Sequence, residues 1–404
     1  MNYDAGQNKK GVKSLNQRLV LKLVATRPGL SRVDIAKITG LTKMTAGNIV
    51  GELIDNDIIQ EDAHADGNGG VGRSPIHLKI SDRSPCILGI SIKRGLYQII
   101  LADLAGTVLD KWVYGHDDPI GSEQLVALLK QGIDQVRLRN RRRLLGTGIS
   151  CVGPVNRIDG VVLNPSNFWN IKDLPIVDIV AEHTGLPAFL VNDGNSGALA
   201  EKTYGAGRNV ENFFYLHIMY GIGAGLVLDG RLYNGVYGHS GEIGHVTINF
   251  AGPRCGCGNT GCLELYANIE NMRRHISELS ALFPDSSIAR HASPTLLDVI
   301  DAANMRDNLA IAALDQFCVY LSHAIYNTIT LLDLSCVIAD YPSRVAGAAL
   351  ETILQGKMAN FTHMKQYKAL QIVRSGFNGA APLMGSVALI ADMVFQGQLP
   401  LPAE

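Results

Sequence analysis

The sequence predicts an α/β protein fronted by a small helical unit, and three observations predict it. Capped helices and a hairpin fill the first 80 residues; apolar strand-like runs then alternate with helices at glycine-rich turns; and three of the seven cysteines gather in one central loop. A chain of 404 residues has room for two or three domains and a sizeable core. Hydrophobic residues at 47% and charged ones at 18% fit an ordinary soluble globular protein rather than a disordered one. Lys9, Lys10 and Lys13 near the start are not followed by the apolar core of a signal peptide. No apolar run reads as long enough to cross a bilayer, and clustered cysteines fit a reducing compartment. A cytoplasmic location without membrane insertion is therefore expected.

From Ser14 the chain reads as three helices. Leu15, Leu19, Leu21, Leu23 and Val24 mark an amphipathic first helix that ends near Pro28-Gly29. Ser31, with Asp34 three residues on, is a capping-box start for a second helix running to about Ile38. After the turn Thr39-Gly40-Leu41, Thr42 caps a third, with apolar positions at Met44, Ile49, Val50 and Leu53. Ala36 and Ile49 face each other across the turn, the helix-turn-helix pattern. Ile58–Gln60 and Ile76–Ile80 read as two strands of a wing, joined by a loop ending in Gly72-Arg73-Ser74-Pro75. The first 40 residues hold 8 basic against 2 acidic side chains, while the whole chain has a net charge of −1. A winged helix-turn-helix on a basic segment predicts binding to double-stranded operator DNA. Thr42, Lys43, Met44 and Thr45 then open the recognition helix, and Arg73 at the wing tip is placed to enter a minor groove. A generic helical unit would use the same caps.

The composition changes around Ser81–Pro85, the first domain boundary. Strands are expected at Cys86–Ile92, Leu96–Asp103, Thr107–Tyr114, Leu144–Val152, Ala188–Val191, Phe213–Ile218, Ala224–Leu228 and Ser335–Ala339. Helices are expected at Gln124–Arg141, Ile176–Thr184, Ser196–Tyr204 and Asp307–Leu332. The arginines at 137, 139, 141, 142 and 143 end a helix, where the dipole favours cations, and need no ligand.

The stretch Gly241-Glu-Ile-Gly-His245, followed by Cys255-Gly-Cys257-Gly-Asn-Thr-Gly-Cys262-Leu-Glu264, carries the chemistry. His245, Cys255, Cys257 and Cys262 supply thiolate and imidazole donors at the spacing of a tetrahedral Zn²⁺ site. Gly256, Gly258 and Gly261 allow the turns that bring the sulfurs together. Four protein ligands close the coordination sphere, so one structural zinc per chain is expected rather than a catalytic one. Polar residues gather at strand ends: Asn164, Asn167, Trp169, Asn192, Asp193, Glu242, His245 and Glu264. Carboxylates and carboxamides of this kind hold adjacent hydroxyls of a polyol, and a ring suits the C–H face of a sugar. Asp193 ends an apolar strand before Gly194, where α/β sheets place ligands, although Asn-Asp there also suits a helix N-cap.

Taken together these residues resemble the ROK family (repressors, open reading frames and sugar kinases), over essentially the whole chain, and its repressors in particular. The resemblance implies a two-lobed actin-like ATPase fold with a sugar in the cleft. It divides the chain into a winged helix-turn-helix at 1–81, a first lobe at 82–193 and a second at 194–404, whose last helix packs back on the first lobe. It implies sugar contacts at Asn192, Asp193, Glu242, His245 and Glu264, to which the polar strand ends add Asn167. Asp193 would stand where the kinases keep their base, and the zinc ligands are those named above. The nucleotide side departs from the kinases at three places. Ser91-Ile92-Lys93-Arg94-Gly95 replaces an Asp-x-Gly-Gly-Thr phosphate loop, Met219–Gly225 replaces a second glycine loop, and Ala339-Asp340-Tyr341-Pro342 replaces a glycine turn. Lys93 and Arg94 fill space that phosphate needs. The expected function is a sugar- or sugar-phosphate-responsive repressor, a homodimer or homotetramer without catalytic activity. The alternatives are a sugar kinase with an appended DNA-binding domain, or a regulator worked by a protein partner. Arg73→Ala is expected to weaken operator binding, and unchanged affinity in a gel-shift titration at fixed salt would overturn the wing assignment.

Overall fold

The computed structural model describes residues 9–62, 76–165, 168, 171–219, 221–361 and 370–401. Arg73, Asn167 and Trp169 lie outside the described residues.

The chain opens with α1 (Lys9–Thr26), α2 (Arg32–Thr39) and α3 (Lys43–Asp55), then β1 (Ile59–Asp62) and β2 (His77–Ile80). Ser31 and Asp34 close a reciprocal capping box: the Ser31 hydroxyl oxygen accepts from Asp34 N–H, and the Asp34 carboxylate accepts from Ser31 N–H at 2.9 Å. Gly40, left-handed at φ 70°, ends α2, and Thr42 caps α3 by accepting from Thr45 N–H at 3.1 Å. β1 and β2 pair antiparallel with Ile59 opposite Ile80. Three sequence expectations are corrected. α1 begins at Lys9 rather than Ser14. Leu15 and Leu19 stay exposed, because Val20, Leu21 and Val24 lie on the opposite side of the helix and form the core with Ile35, Ile49, Val50 and Leu53. Met44 is 77% exposed on the first turn of α3 instead of buried.

Two five-stranded sheets follow with the same topology. The first comprises β3 (Cys86–Lys93), β4 (Leu96–Ala102), β5 (Val108–Gly115), β6 (Leu144–Cys151) and, after the small hairpin β7 (Val155–Asn156) and β8 (Val161–Val162), β9 (Ala188–Asn192). The second comprises β10 (Phe213–Ile218), β11 (Ile222–Leu228), β12 (Arg231–Leu232), β13 (Cys336–Asp340) and β14 (Gln371–Arg374). Their spatial orders are β5-β4-β3-β6-β9 and β12-β11-β10-β13-β14. In each, three strands form an antiparallel meander and two more add in parallel to the first strand of that meander.

On one face of the first sheet, α4 (Ser122–Arg139) and α5 (Ile176–Thr184) bury Leu129, Ile133 and Val180 against Leu88, Ile90 and Ile149. The second sheet is covered by α7 (Ile269–Leu279), α8 (Leu296–Asn304), α9 (Asn308–Leu332) and α10 (Ala349–Met358), with Phe317 and Leu321 packed among Phe214, Leu216 and Val337. α9 has the length and apolar composition of a membrane span, contrary to the sequence reading that no run does. Its apolar side, including Leu314, Leu321, Ile325 and Ile329, is buried in this core.

The remaining helices cross between the sheets. α6 (Asp193–Thr203) leaves the first sheet and packs on β10 and β11 of the second; α11 (Ala381–Gln396) leaves the second and packs on β3 and β6 of the first. They also pack on each other, and glycines make the approach close. A Cβ at Gly385 would lie 1.8 Å from the Ser196 carbonyl oxygen, and one at Gly148 would lie 1.9 Å from that of Ser386. Gly385→Ala is expected to destabilise the protein by about 1–3 kcal/mol through overpacking, read as a lower midpoint in urea or thermal unfolding.

Candidate functional site

The cleft between the sheets, about 460 Å³, is built where strands end and the crossing helices begin. Asn192 ends β9 and caps α6, its Oδ1 accepting from Asn195 N–H at 3.0 Å, while Asp193 Oδ1 accepts from Gly194 N–H at 2.9 Å. The helix-cap reading and the cleft reading of Asn192-Asp193 thus both hold, for both residues line the cleft.

The opposite wall is the segment 241–245, laid against β11. Gly241 has φ 87°, and a Cβ there would lie 2.2 Å from the Ala224 carbonyl oxygen; only glycine passes so close in that conformation. Buried Ile243 anchors the turn, which leaves Glu242 and His245 in the cleft. A second short turn, Leu263–Leu265, is held to the first by Leu263 N–H donating to the Val246 carbonyl at 2.9 Å, and it adds Glu264. Desolvation by burial, and then the nearby Asp193, push the Glu242 carboxyl above its ordinary value; Asn192 donates to it in opposition. Of the six expected sugar contacts, the structure brings together five: Asn192, Asp193, Glu242, His245 and Glu264. Asn167, the sixth, lies outside the described residues.

Behind Glu264 and His245 stand the cysteines. One ligand atom from each of His245, Cys255, Cys257 and Cys262 falls within 4.8 Å of all the others. Cys255 Sγ is 3.8 Å from His245 Nδ1, and Cys257 Sγ is 3.7 Å from Cys262 Sγ. A tetrahedral ion at about 2.3 Å from each sulfur separates sulfurs by roughly 3.8 Å, so the donors fit a metal ion. Burial, with the adjacent thiols, pushes the Cys262 thiol up to about 12, which a bound cation would reverse. Gly258 (φ 93°) and Gly261 (φ 64°) make the left-handed turns of the loop, whereas Gly256 has open space around it and no such conformation. Asn259 Nδ2 donates to the His245 carbonyl at 3.1 Å and fixes the loop on the cleft turn.

The cleft is also lined by Lys93, the last residue of β3, and by Arg94, in the turn to β4. Lys93 Nζ is buried and donates across the cleft to the Gly379 carbonyl at 3.1 Å. The N–H of the same Gly379 donates to Asp340 Oδ1 at 2.6 Å, and Asp340 Oδ2 accepts from Tyr215 OH at 2.9 Å and pairs with His217 at 3.5 Å. Burial alone would raise the Asp340 carboxyl, but His217, Gly379 N–H and Tyr215 hold it below the ordinary value. Burial lowers the Lys93 ammonium, opposed by Asp193 and Asp340. The sequence reading took Asp340 only as part of a changed turn and missed His217 and His239, which line the cleft. His217 had a visible signal: an imidazole in an otherwise apolar strand just before a glycine turn.

On the N-terminal unit, Thr42, Lys43 and Met44 are exposed, while Thr45 is half-buried with its hydroxyl 2.9 Å from that of Thr42.

Two lobes of matching topology around a polar cleft, behind a helix-turn-helix with a paired hairpin, define an actin-like body joined to a helical front unit. The ROK family is matched over residues 87–393, and the chain belongs to that family. It is 28% identical over 384 residues to the xylose repressor of Bacillus subtilis (strain 168), covering 94% of this chain and 96% of that one. A solved ROK family transcriptional regulator, a homologue of the Escherichia coli Mlc protein, superposes with a TM-score of 0.75 at 30% identity, over 96% of this chain and 97% of its own. A ROK hexokinase from Thermus thermophilus superposes with a TM-score of 0.62 at 26% identity, over 77% of this chain and 99% of its own.

The purified chain is expected to retain about one metal ion through dialysis, and Cys262→Ala to lose it, as counted by elemental analysis.

Proposed function

We propose that the chain is a sugar-responsive transcriptional repressor whose ROK body senses the sugar and whose winged helix-turn-helix binds operator DNA. The observation that carries this reading is the set of groups that share the cleft. Hydroxyl-binding side chains (Asn192, Asp193, Glu242, His245 and Glu264) line it together, and Lys93, in the same lining, is bonded to Gly379. Carboxylates and carboxamides accept from and donate to neighbouring hydroxyls, the recognition a sugar or sugar phosphate needs. Lys93 stands in the stretch that replaces the kinases' phosphate loop and is committed to the Gly379 carbonyl, which supports binding without phosphoryl transfer.

The metal is assigned as zinc, the ion that suits one imidazole and three thiolates. With four protein ligands, zinc there supplies structure, holding the turns that carry His245 and Glu264. Thr42, Lys43, Met44 and Thr45 open α3 and are assigned to base contacts, where exposed Met44 offers an apolar surface for a thymine methyl. Arg73 is assigned to the minor groove. Half-sites read by paired helices call for a dimer or tetramer. Such a regulator works in the cytoplasm. Sugar favours the closed cleft and operator the other arrangement, so each weakens the other by linkage.

A second reading, a kinase that retains a DNA-binding unit, draws on Asp193, which lines the cleft where a general base would stand. The two are separated by one series of measurements. Among D-xylose, D-glucose, N-acetylglucosamine and their phosphates, at least one is expected to raise the melting temperature. Glu264→Gln is expected to weaken that ligand about 10- to 100-fold, the loss of one charge-assisted hydrogen bond. ADP release with the same panel should stay at background; turnover abolished by Asp193→Asn would establish the kinase reading instead.

A further inference from the structure

Both crossing helices begin at the cleft, and α11 itself and the chain that follows α6 both reach α1, the first helix of the DNA-binding unit. α6 starts at Asp193, and the chain leaving it carries Arg208, whose Nη1 donates to the Thr26 carbonyl at the C-terminus of α1 at 2.9 Å. α11 starts just after Gly379, the peptide held between Lys93 and Asp340, and ends at Gly397. Gly397 is left-handed at φ 76°, and a Cβ on it would lie 1.9 Å from Arg18 Nη1 of α1. The Arg18 guanidinium therefore rests on the C-terminal end of α11, where the helix dipole favours a cation. One turn earlier, Asp392 feels the charge of Lys22 on α1, and Lys22 also acts on Lys202 of α6.

Between these ends there is little slack. Ser196 Oγ donates to the Pro382 carbonyl at 2.8 Å, and Gly385 sits directly on the Ser196 backbone. Close-packed interfaces of this kind transmit displacement rather than absorb it. The 16 residues of α11 span about 24 Å. α1 shares its core with α3 through Val20, Leu21, Ile49 and Val50, so a movement of α1 reaches the recognition helix.

We propose that α6 and α11 form a paired coupler that carries the opening or closing of the cleft to α1, with Lys93 and Arg18 as the positioning residues at its two ends. The proposal rests on the sensor reading for its purpose, but the coupling itself is a property of the free protein. Hydrogen–deuterium exchange on the full chain, without sugar or DNA, tests it. Arg18→Ala is expected to raise exchange roughly threefold or more at residues 375–385, at the cleft end, with α4 and α9 unchanged. Lys93→Gln, which keeps a donor for the Gly379 carbonyl but not the charge, is expected to raise exchange at residues 390–397 and 15–26. Changes confined to the neighbourhood of each substitution, or spread equally over α4 and α9, overturn the coupler. Should Lys93→Gln fail to fold, Arg18→Ala decides alone, because Arg18 lies outside the cleft. Remote exchange in a protein that answers to none of the sugars above keeps the coupler and removes the sensor reading; a sugar response with only local exchange does the reverse.

Discussion

The peptide of Gly379 is held from both sides, its carbonyl by Lys93 from the first sheet and its N–H by Asp340 from the second. Much of the structure depends on this contact. Asp340 is fully buried, and a buried carboxylate persists only when several donors satisfy it. Tyr215, His217 and the Gly379 and Ala381 N–H groups do so, and in doing so they set where α11 begins. Lys93, also buried, finds two carboxylates within electrostatic reach and one carbonyl to bond. The two lobes thus meet through a charged junction that neither could bury by itself.

The cleft carries charges of both signs. Glu242 feels both desolvation and the charge of Asp193. Asp193 also acts on the ammonium of Lys93, and Arg94 adds a guanidinium to the same lining. Three carboxylates, those of Asp193, Glu242 and Glu264, therefore share one cleft with these two cations.

Local chemistry was readable from the sequence, and chemistry at a distance was not. Ser31, Asp34 and Thr42 announce their helices because a cap joins residues three apart. The strand cores stood out as apolar runs, and the cysteine loop stood out by spacing alone. By contrast, Lys93 bonds a residue 286 positions away, and Arg208 bonds one 182 positions away. Nothing in the neighbourhood of either position marks the partner. Leu15, Leu19 and Met44 were misread for a related reason: periodicity identifies an apolar helix, but which side it buries depends on what packs there. The length of α9 likewise says nothing about its surroundings, which are the core of the second lobe.

The exchange of helices between the sheets has a consequence for how the chain can be divided. α6 belongs by sequence to the first sheet and by packing to the second, and α11 the reverse. A cut at the 193/194 junction, natural as it looks in the sequence, would leave α6 with the second sheet, which it covers, but would strip the first sheet of α11. Ile87, Ile100 and Leu145 would lose Val387 and Ile390. The first half would then not be a self-contained globule, because any fragment ending before residue 381 would present an uncovered apolar sheet to water. The first lobe is therefore completed from the far end of the chain, by α11.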